Sequence, residues 1–201
     1  MAHRMKAVAL AAPLAMLVAL PGCISLGAKP PAQLLSLSAA KTVAPGTIRR
    51  SGQGASITVA DPEAPKTLDT VRVPVRMTPT TLAYVKGAHW ADTPRHLFRT
   101  LLAETIAANG TRIVLDPGQY SADPGQRLMG ELIDFGVDAQ SRMAIVTFDA
   151  VLTGEGGAVL AKQRFSASSP VSAIDADSIG APLNQAANIV AADVAKWVAG
   201  S

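Results

Sequence analysis

The sequence predicts an α+β domain in which two helices pack on one face of a mainly antiparallel sheet, as a two-layer sandwich. Three observations predict this fold class. Most apolar segments alternate with polar residues in the manner of half-buried strands, and three of them follow one another between residues 127 and 168. Only two segments carry the longer period of an amphipathic helix. The expected order of elements is β, β, β, α, β, β, β, β, α, which two packed layers accommodate.

Length and composition favour one conventional domain. The chain has 201 residues, 49% of them apolar and 4% aromatic, so the core must consist mainly of Ala, Val, Ile and Leu. Residues 1–22, which are discussed below as a leader, contain Arg4 and Lys6. Without them, the chain has 16 basic and 15 acidic residues. This balance, with basic residues scattered along the chain, argues against binding to nucleic acid.

The first half of the domain should supply three strands, at Gln33–Leu37, Ala55–Val59 and Val71–Met77. The residues between the first two, 41–55, are rich in Gly, Ser, Thr and Arg and indicate a loop. Pro74 cannot donate to a strand ladder, so it predicts an edge position or a bulge in the third strand.

A helix is expected after Thr93, a suitable N-cap residue, with Pro94 at the first helical position. Asn109-Gly110 is typical of a helix C-terminus. Five residues should line its buried face: Leu97, Leu101, Leu102, Thr105 and Ile106.

The second half should contain four strands and a closing helix. A short strand is expected at Thr111–Leu115, followed by longer ones at Arg127–Val137, Ala144–Thr153 and Ala158–Ser168. The last two are joined by Gly154-Glu155-Gly156-Gly157, which is typical of a hairpin turn and lacks the Lys-Ser/Thr of a phosphate loop. Apolar residues at helical spacing predict a helix from Ile179 to Val198.

Residues 1–22 have the pattern of a secretory signal. Arg4 and Lys6 precede an apolar run, Ala7–Leu20, that is too short to span a bilayer comfortably. Leu20-Pro21-Gly22-Cys23 at its end resembles a bacterial lipobox, whose cysteine receives diacylglycerol and an N-acyl chain. Cys23 is the only cysteine, so neither an internal disulfide nor a cysteine-based zinc site is open to the chain.

Three regions follow from this pattern: a lipoprotein signal peptide (1–22), a lipidated Cys23 with its tether (23–32) and the domain (33–201). The tether contains Gly and Pro residues typical of a linker. More than one acyl chain suffices for stable anchoring. The alternative is an ordinary cleaved signal whose cysteine is incidental.

No catalytic or metal-binding constellation is evident. His89, Asp92 and His96 form a suggestive cluster, but Pro94 interrupts any shared helix and zinc needs at least three protein ligands. We expect Asp92 to help cap the helix and both histidines to lie on the surface.

Tyr84 and Trp90 occur in a segment that the sequence predicts to be a loop, with Lys86 between them. Aromatic residues with a polar group are favoured at interfaces, so Tyr84, Lys86 and Trp90 form a candidate surface for a partner or for self-association. The alternative is that Trp90 belongs to the core.

These motifs together resemble the ABC-type transport auxiliary lipoproteins. The lipobox is followed by Leu34–Leu37, then by Leu68-x-x-Val-x-Val-x-Val, and later by Leu82-Ala83-Tyr84 and Trp90-Ala91-Asp92-x-Pro94 before an amphipathic helix. The resemblance implies a periplasmic lipoprotein at the outer membrane. Its expected partner is the MCE (mammalian-cell-entry) domain protein of an ABC lipid transporter. It also implies a docking component, which in some members forms a homo-oligomeric ring, with no catalytic residues and no cofactor beyond the lipid on Cys23.

Two other functions stay open at this stage. An outer-membrane assembly lipoprotein that carries a lipid ligand itself would need an apolar cavity. A periplasmic hydrolase would need a serine activated by His89 or His96. The leading expectation is the non-enzymatic accessory lipoprotein, anchored to the periplasmic face of the outer membrane.

Overall fold

Within the residues that the structure describes, the sheet has seven strands and is mixed, with two helices packed on one of its faces. This computed structural model describes residues 33–48, 56–110, 112–118 and 125–200, without the side chain of Glu155. They belong to one compact unit, residues 31–201, whereas residues 1–30 separate as another unit that lies outside the described part. The elements are β1 (Ser56–Val59), β2 (Arg72–Thr78), β3 (Thr81–His89), α1 (Pro94–Asn109), β4 (Ile113–Leu115), β5 (Gln126–Asp138), β6 (Met143–Thr153), β7 (Val159–Pro170) and α2 (Gly180–Ala199).

The long strand β5 organises the sheet. On one side it pairs antiparallel with β6 over its whole length, and β6 pairs antiparallel with β7. Two strands share its other side, both parallel to it: β1 near its start and β2 near its end. Then β4 adds in parallel to β1, and β3 adds antiparallel to β2. The predicted α+β class is therefore confirmed, with a mostly antiparallel sheet that includes parallel pairs.

Aromatic side chains show that both helices cover the same face. Phe148 and Phe165 are direct neighbours on β6 and β7 and are both buried. Phe98 of α1 contacts Phe148 edge-on, with ring centroids 5.4 Å apart. Trp197 of α2 contacts Phe165 in the same way at 5.6 Å. The helices and the inner side of the sheet thus form one core, and the sheet's other side is its open face.

Most predicted elements are confirmed within a residue or two. Helix α1 begins at Pro94 after Thr93, although the Thr93 side chain makes no capping hydrogen bond, and Gly110 follows its last residue. Its buried face includes Phe98, which the sequence analysis omitted, and Leu97 is only partly buried. The β6–β7 connection is a short 3₁₀ turn, Glu155–Gly157, in which Gly156 and Gly157 have positive φ.

Two predictions in the first half are wrong. Residues 33–37 form no strand: Leu35 makes a single parallel bridge with Trp90. Residues 84–89, expected as a loop, belong to strand β3. The predicted order of elements nevertheless agrees with the observed order, because the strand wrongly predicted at 33–37 is offset by strand β3, which was not predicted. Pro74 lies in β2 between two neighbours and not at an edge, next to a register shift that agrees with the predicted bulge.

Replacing Trp90 with Ala should lower the free energy of unfolding by about 3–5 kcal/mol, because the ring is 1% exposed and packs on Phe135 at 5.4 Å. Urea denaturation followed by circular dichroism would measure the change. Lys86→Ala, four residues earlier and exposed, is the control and should stay within about 0.5 kcal/mol of the original protein. Equal, small effects of both substitutions would contradict a core position for Trp90.

Candidate anchoring and docking sites

The first described residues form an extended strap, defined here as residues 33–43, that lies across both helices. It begins beside the end of β3, where Leu35 N–H donates to the His89 carbonyl (2.7 Å) and the Leu35 carbonyl accepts from Ala91 N–H (2.8 Å). Leu35 and Leu37 pack against the core. The bridge at Leu35 thus attaches the strap to the sheet, and its apolar side chains attach it to the core.

Two asparagines of α2 hold the middle of the strap. Asn188 Oδ1 accepts from Ala40 N–H (2.8 Å), while Asn188 Nδ2 donates to the Ser38 carbonyl (2.9 Å). Asn184 Oδ1 accepts from Ser38 N–H (2.9 Å). A side-chain amide has the same donor and acceptor groups as a peptide, so these residues replace the backbone of a neighbouring strand.

The ends of the strap are also fixed. Gln33 Nε2 donates to Asp177 Oδ1 (3.0 Å), just before α2 begins, and Val43 N–H donates to Glu104 Oε1 of α1 (2.6 Å). The strap therefore enters at the N-terminal end of α2 and runs towards its middle. Sequence analysis missed this site, although two asparagines one helical turn apart on α2 were a visible signal.

Cys23 lies outside the described residues, so its lipidation stays a prediction. Cys23 precedes Gln33 by ten residues, and a fully extended chain of ten residues reaches at most about 35 Å. Within the described ranges, neither helix has the length and apolar character needed to cross a bilayer.

The three residues of the predicted docking surface do not share one surface. Trp90 is buried in the core, so its predicted place on an exposed loop is wrong. Lys86 is exposed in a bulge of β3, since Tyr84 pairs with Pro74 and His89 pairs with Arg72, which leaves four residues on β3 opposite one on β2.

Tyr84 is half-buried and already engaged. The Arg72 guanidinium lies 3.9 Å from the centre of its ring, and its hydroxyl donates to the Thr67 carbonyl at 3.5 Å. Lys86 is therefore the residue of the predicted trio that can contact a partner without rearrangement.

The histidines and Asp92 do not converge on one site. His96 lies 3.3 Å from Asp61 and 3.9 Å from Asp92, as part of an ion-pair cluster that includes Arg99. His89 and His96 are both half-buried. Because 45% of the His96 side chain is exposed whereas Nδ1 of His89 is buried, His96 comes closer to the predicted surface position. Asp92 accepts from Thr93 N–H (2.6 Å), ahead of the helix. Among the described residues, no group of three or more His, Cys, Asp and Glu side chains could hold a metal ion.

In the described ranges, three strands lie at edges of the sheet: β3 and the short β4 on one side, and the twelve-residue strand β7 on the other. The end of β3 at His89 is occupied by the bridge from Leu35, and the rest of its outer side has no ladder partner in those ranges. Exposed side chains follow β3 and β7, with Leu82 and Lys86 on β3 and Leu160, Lys162 and Gln163 on β7. An unpaired edge of this length is a template for another strand.

Comparison with known proteins gives a family and a fold. A sequence model described as "ABC-type transport auxiliary lipoprotein component" matches residues 35–195. A solved structure from Xanthomonas campestris, a protein of the DUF330 family, superposes with a TM-score of 0.70 and 22% identity, covering 83% of this chain and 95% of that one. An uncharacterized protein of known structure gives a TM-score of 0.62 and 13% identity over 75% and 96% of the two chains. No curated protein matches the sequence.

Replacing Asn188 with Ala should loosen the strap, because two hydrogen bonds to its backbone are lost. At about 1 kcal/mol each, they should raise the population of the open strap roughly five- to thirty-fold. Trypsin cleavage after Lys41, followed by mass spectrometry, would report that opening.

Cleavage after Lys66, which lies outside the strap, provides the internal reference in the same digest. Asp193→Asn changes the same helix at a residue bonded to Lys196 and serves as the matched control. An unchanged rate at Lys41 in the Asn188 variant would show that the asparagine does not hold the strap closed.

Proposed function

Because the chain belongs to the family of ABC-type transport auxiliary lipoprotein components, we propose that it is a non-enzymatic accessory lipoprotein of an MCE-type lipid transporter. In this proposal it docks the MCE-domain partner at the periplasmic face of the outer membrane. The observation that carries the proposal is the family match, which spans nearly the whole described domain. The absence of an aspartate directly after Cys23 supports the outer membrane as the destination.

Lipid on Cys23 would fix the domain at the bilayer, and the strap would decide how it is held there. The tether joins the strap at Gln33, next to Asp177, so a lipid-anchored domain would present the N-terminal end of α2 towards the membrane. The tether limits the distance of that end from the bilayer to about 35 Å. Anchoring would thus set both the reach and the orientation of the docking surfaces.

The two sheet edges support a ring. A contact between β3 of one copy and β7 of the next joins different surfaces, and such head-to-tail contacts close into rings when the rotation allows. Each junction would continue the sheet through main-chain hydrogen bonds, as in strand addition. Lys86 and Leu82 on the β3 edge then lie at the junction or at its rim.

Replacing Cys23 with Ala should abolish lipidation and, since the acyl chains are the proposed attachment to the membrane, should leave the protein either soluble or retained at the inner membrane. Mass spectrometry of the N-terminal peptide and membrane fractionation would measure both. Ser25→Ala, two residues away, should retain lipid and membrane association. An unmodified thiol on Cys23 in the original protein, or the same lipid mass on the variant, would refute the assignment.

Paired cysteines can test the ring at its edges. In a Cys23-lipidated protein the introduced residues are the only free thiols, so Lys86→Cys and Gln163→Cys together should give a ladder of crosslinked oligomers with a short bis-maleimide. Each single variant should stay monomeric on a denaturing gel.

Two further outcomes are informative in this experiment. Gln163→Cys with Lys196→Cys, whose second thiol lies on α2 and not on an edge strand, is the matched control and should give no ladder. Crosslinked dimers of the single variant Gln163→Cys would contradict the ring and indicate a two-fold contact between the β7 strands of two copies.

A further inference from the structure

A crevice of about 310 Å³ lies on the open face of the sheet, between the β2–β3 hairpin and the strands β5 and β6. The segment around Leu68 closes one end of it. Apart from Leu82, which also lies on the β3 edge, none of its lining residues belongs to the strap, to the ion-pair cluster at α1 or to the proposed ring edges. The crevice therefore needs an explanation of its own.

Strand geometry creates the crevice. β2 pairs with β5 at only two positions, Val75 with Val137 and Arg76 with Asp138, and then diverges. The ladder between β5 and β6 is irregular at Ile133, where one extra residue bends the strand. At Gly136 the strands are so close that an added Cβ would lie 2.5 Å from the Pro74 carbonyl oxygen. Bulges of this kind commonly re-aim side chains beside functional sites.

The lining combines aliphatic side chains with three threonines, Thr67, Thr78 and Thr80, and with charged side chains. Leu68, Pro74, Ile133, Ile145 and Leu82 contribute the apolar lining, and Leu82 is 54% exposed at the mouth. Such a lining, with a few polar groups placed together, is typical of small-molecule sites. Its volume corresponds to about ten water-sized groups, so it can hold one alkyl chain of about ten carbons and not the two chains of a complete phospholipid.

Three charged side chains stand at the rim. Arg76 donates through Nη2 to Asp134 Oδ1, and Asp138 lies beside Arg76. Hydrogen bonds from the Ser141 N–H and hydroxyl hold the pKa of Asp138 below its usual value, and the nearby Arg76 charge adds to this effect. Asp138 is therefore ionised at neutral pH, and the rim combines one positive and two negative charges.

We propose that this crevice binds a single-chain zwitterionic amphiphile. The alkyl chain occupies the aliphatic trough, and the anionic group of the head pairs with the donors that Arg76 does not use for Asp134. The cationic group lies against Asp134 and Asp138. A purely anionic head would meet two carboxylates, and a purely cationic head would meet the guanidinium, so a head with both charges fits the rim best. This inference goes beyond the proposed docking function and is independent of the anchor and the ring.

A series of ligands with one chain and different heads tests the proposal. Residues 23–201 carrying Cys23→Ser, which lack both the leader and the lipid, are titrated below the micelle concentration with decylphosphocholine, decanoate, decyltrimethylammonium and decyl maltoside. Amide chemical shifts measured by NMR give both the site and the affinity. We expect decylphosphocholine to bind at least several-fold more tightly than the others, with shifts at Leu82, Gly136 and Ile145. Affinity should rise with chain length up to about ten carbons and then level off.

Two arginine variants separate the rim from general surface charge. Arg76→Gln should weaken decylphosphocholine binding roughly tenfold and remove the preference among heads. Arg164→Gln breaks a similar pair, with Asp149 on the same open face (2.7 Å), and should leave binding unchanged. Both arginines are partly exposed, so neither change threatens the core.

Three results would overturn the proposal. Shifts spread over exposed apolar residues such as Val159 and Leu160, with no preference among heads, would indicate detergent adsorption. An equal loss of decylphosphocholine affinity in Arg76→Gln and Arg164→Gln would show that the charged rim has no specific role in binding. Saturation of the crevice by a peptide of the transporter partner, with no saturable binding of any amphiphile, would make it a protein-docking site.

Discussion

The packing of six aromatic rings on one side of the sheet is the interaction on which the rest of this structure depends. The chain has only four phenylalanines and two tryptophans, and each makes an edge-on contact with another. Phe98 joins α1 to Phe135 and Phe148, and Trp197 joins α2 to Phe165. Because such rings bury large areas, a few of them hold two helices and three strands together in a core otherwise made of small aliphatic residues. Trp90 extends this cluster to the end of β3, which is where the strap attaches.

Attachment at that point would give the strap a mechanical role if the protein is anchored through lipid on Cys23, as proposed. A lipid anchor followed by a fully flexible chain would leave the domain free to rotate, since a linker fixes distance and not orientation. From residue 33 onward the strap is bonded to Asp177, Asn184, Asn188 and Glu104, so its course over the domain is fixed. The strap uses amide and carboxylate side chains where a strand would use backbone groups. It consequently adds no further strand edge to the sheet. In the described part of the chain it occupies only the His89 end of β3, and the rest of β3 and all of β7 stay available as edges.

Regular local patterns were predictable, and non-local pairing was not. Both helices and the three long strands β5, β6 and β7 followed from their periodicity and from Pro94, Gly110 and the glycine turn at 154–157. The strand at 81–89 was missed because a bulge at Val85–Ala88 breaks its alternation, and Trp90 then resembles an exposed aromatic. Residues 33–37 alternate like a strand, but they lie against side chains of α2 and not against a strand ladder. The prediction of a candidate surface at Tyr84, Lys86 and Trp90 was wrong for Trp90, because a tryptophan at the end of a strand can face either the solvent or the core.

The sequence by itself determined the leader pattern ending at Cys23, the positions of most helices and strands, and the α+β class, because these depend on residue type and on short-range spacing. Tertiary structure alone decided the parallel pairing of β1 and β2 with β5, the burial of Trp90, the course of the strap and the crevice beside Arg76. Each of these brings together residues that are far apart in the chain, such as Ser38 with Asn184 or Arg76 with Asp134. Their energies depend on geometry that no local window of sequence contains.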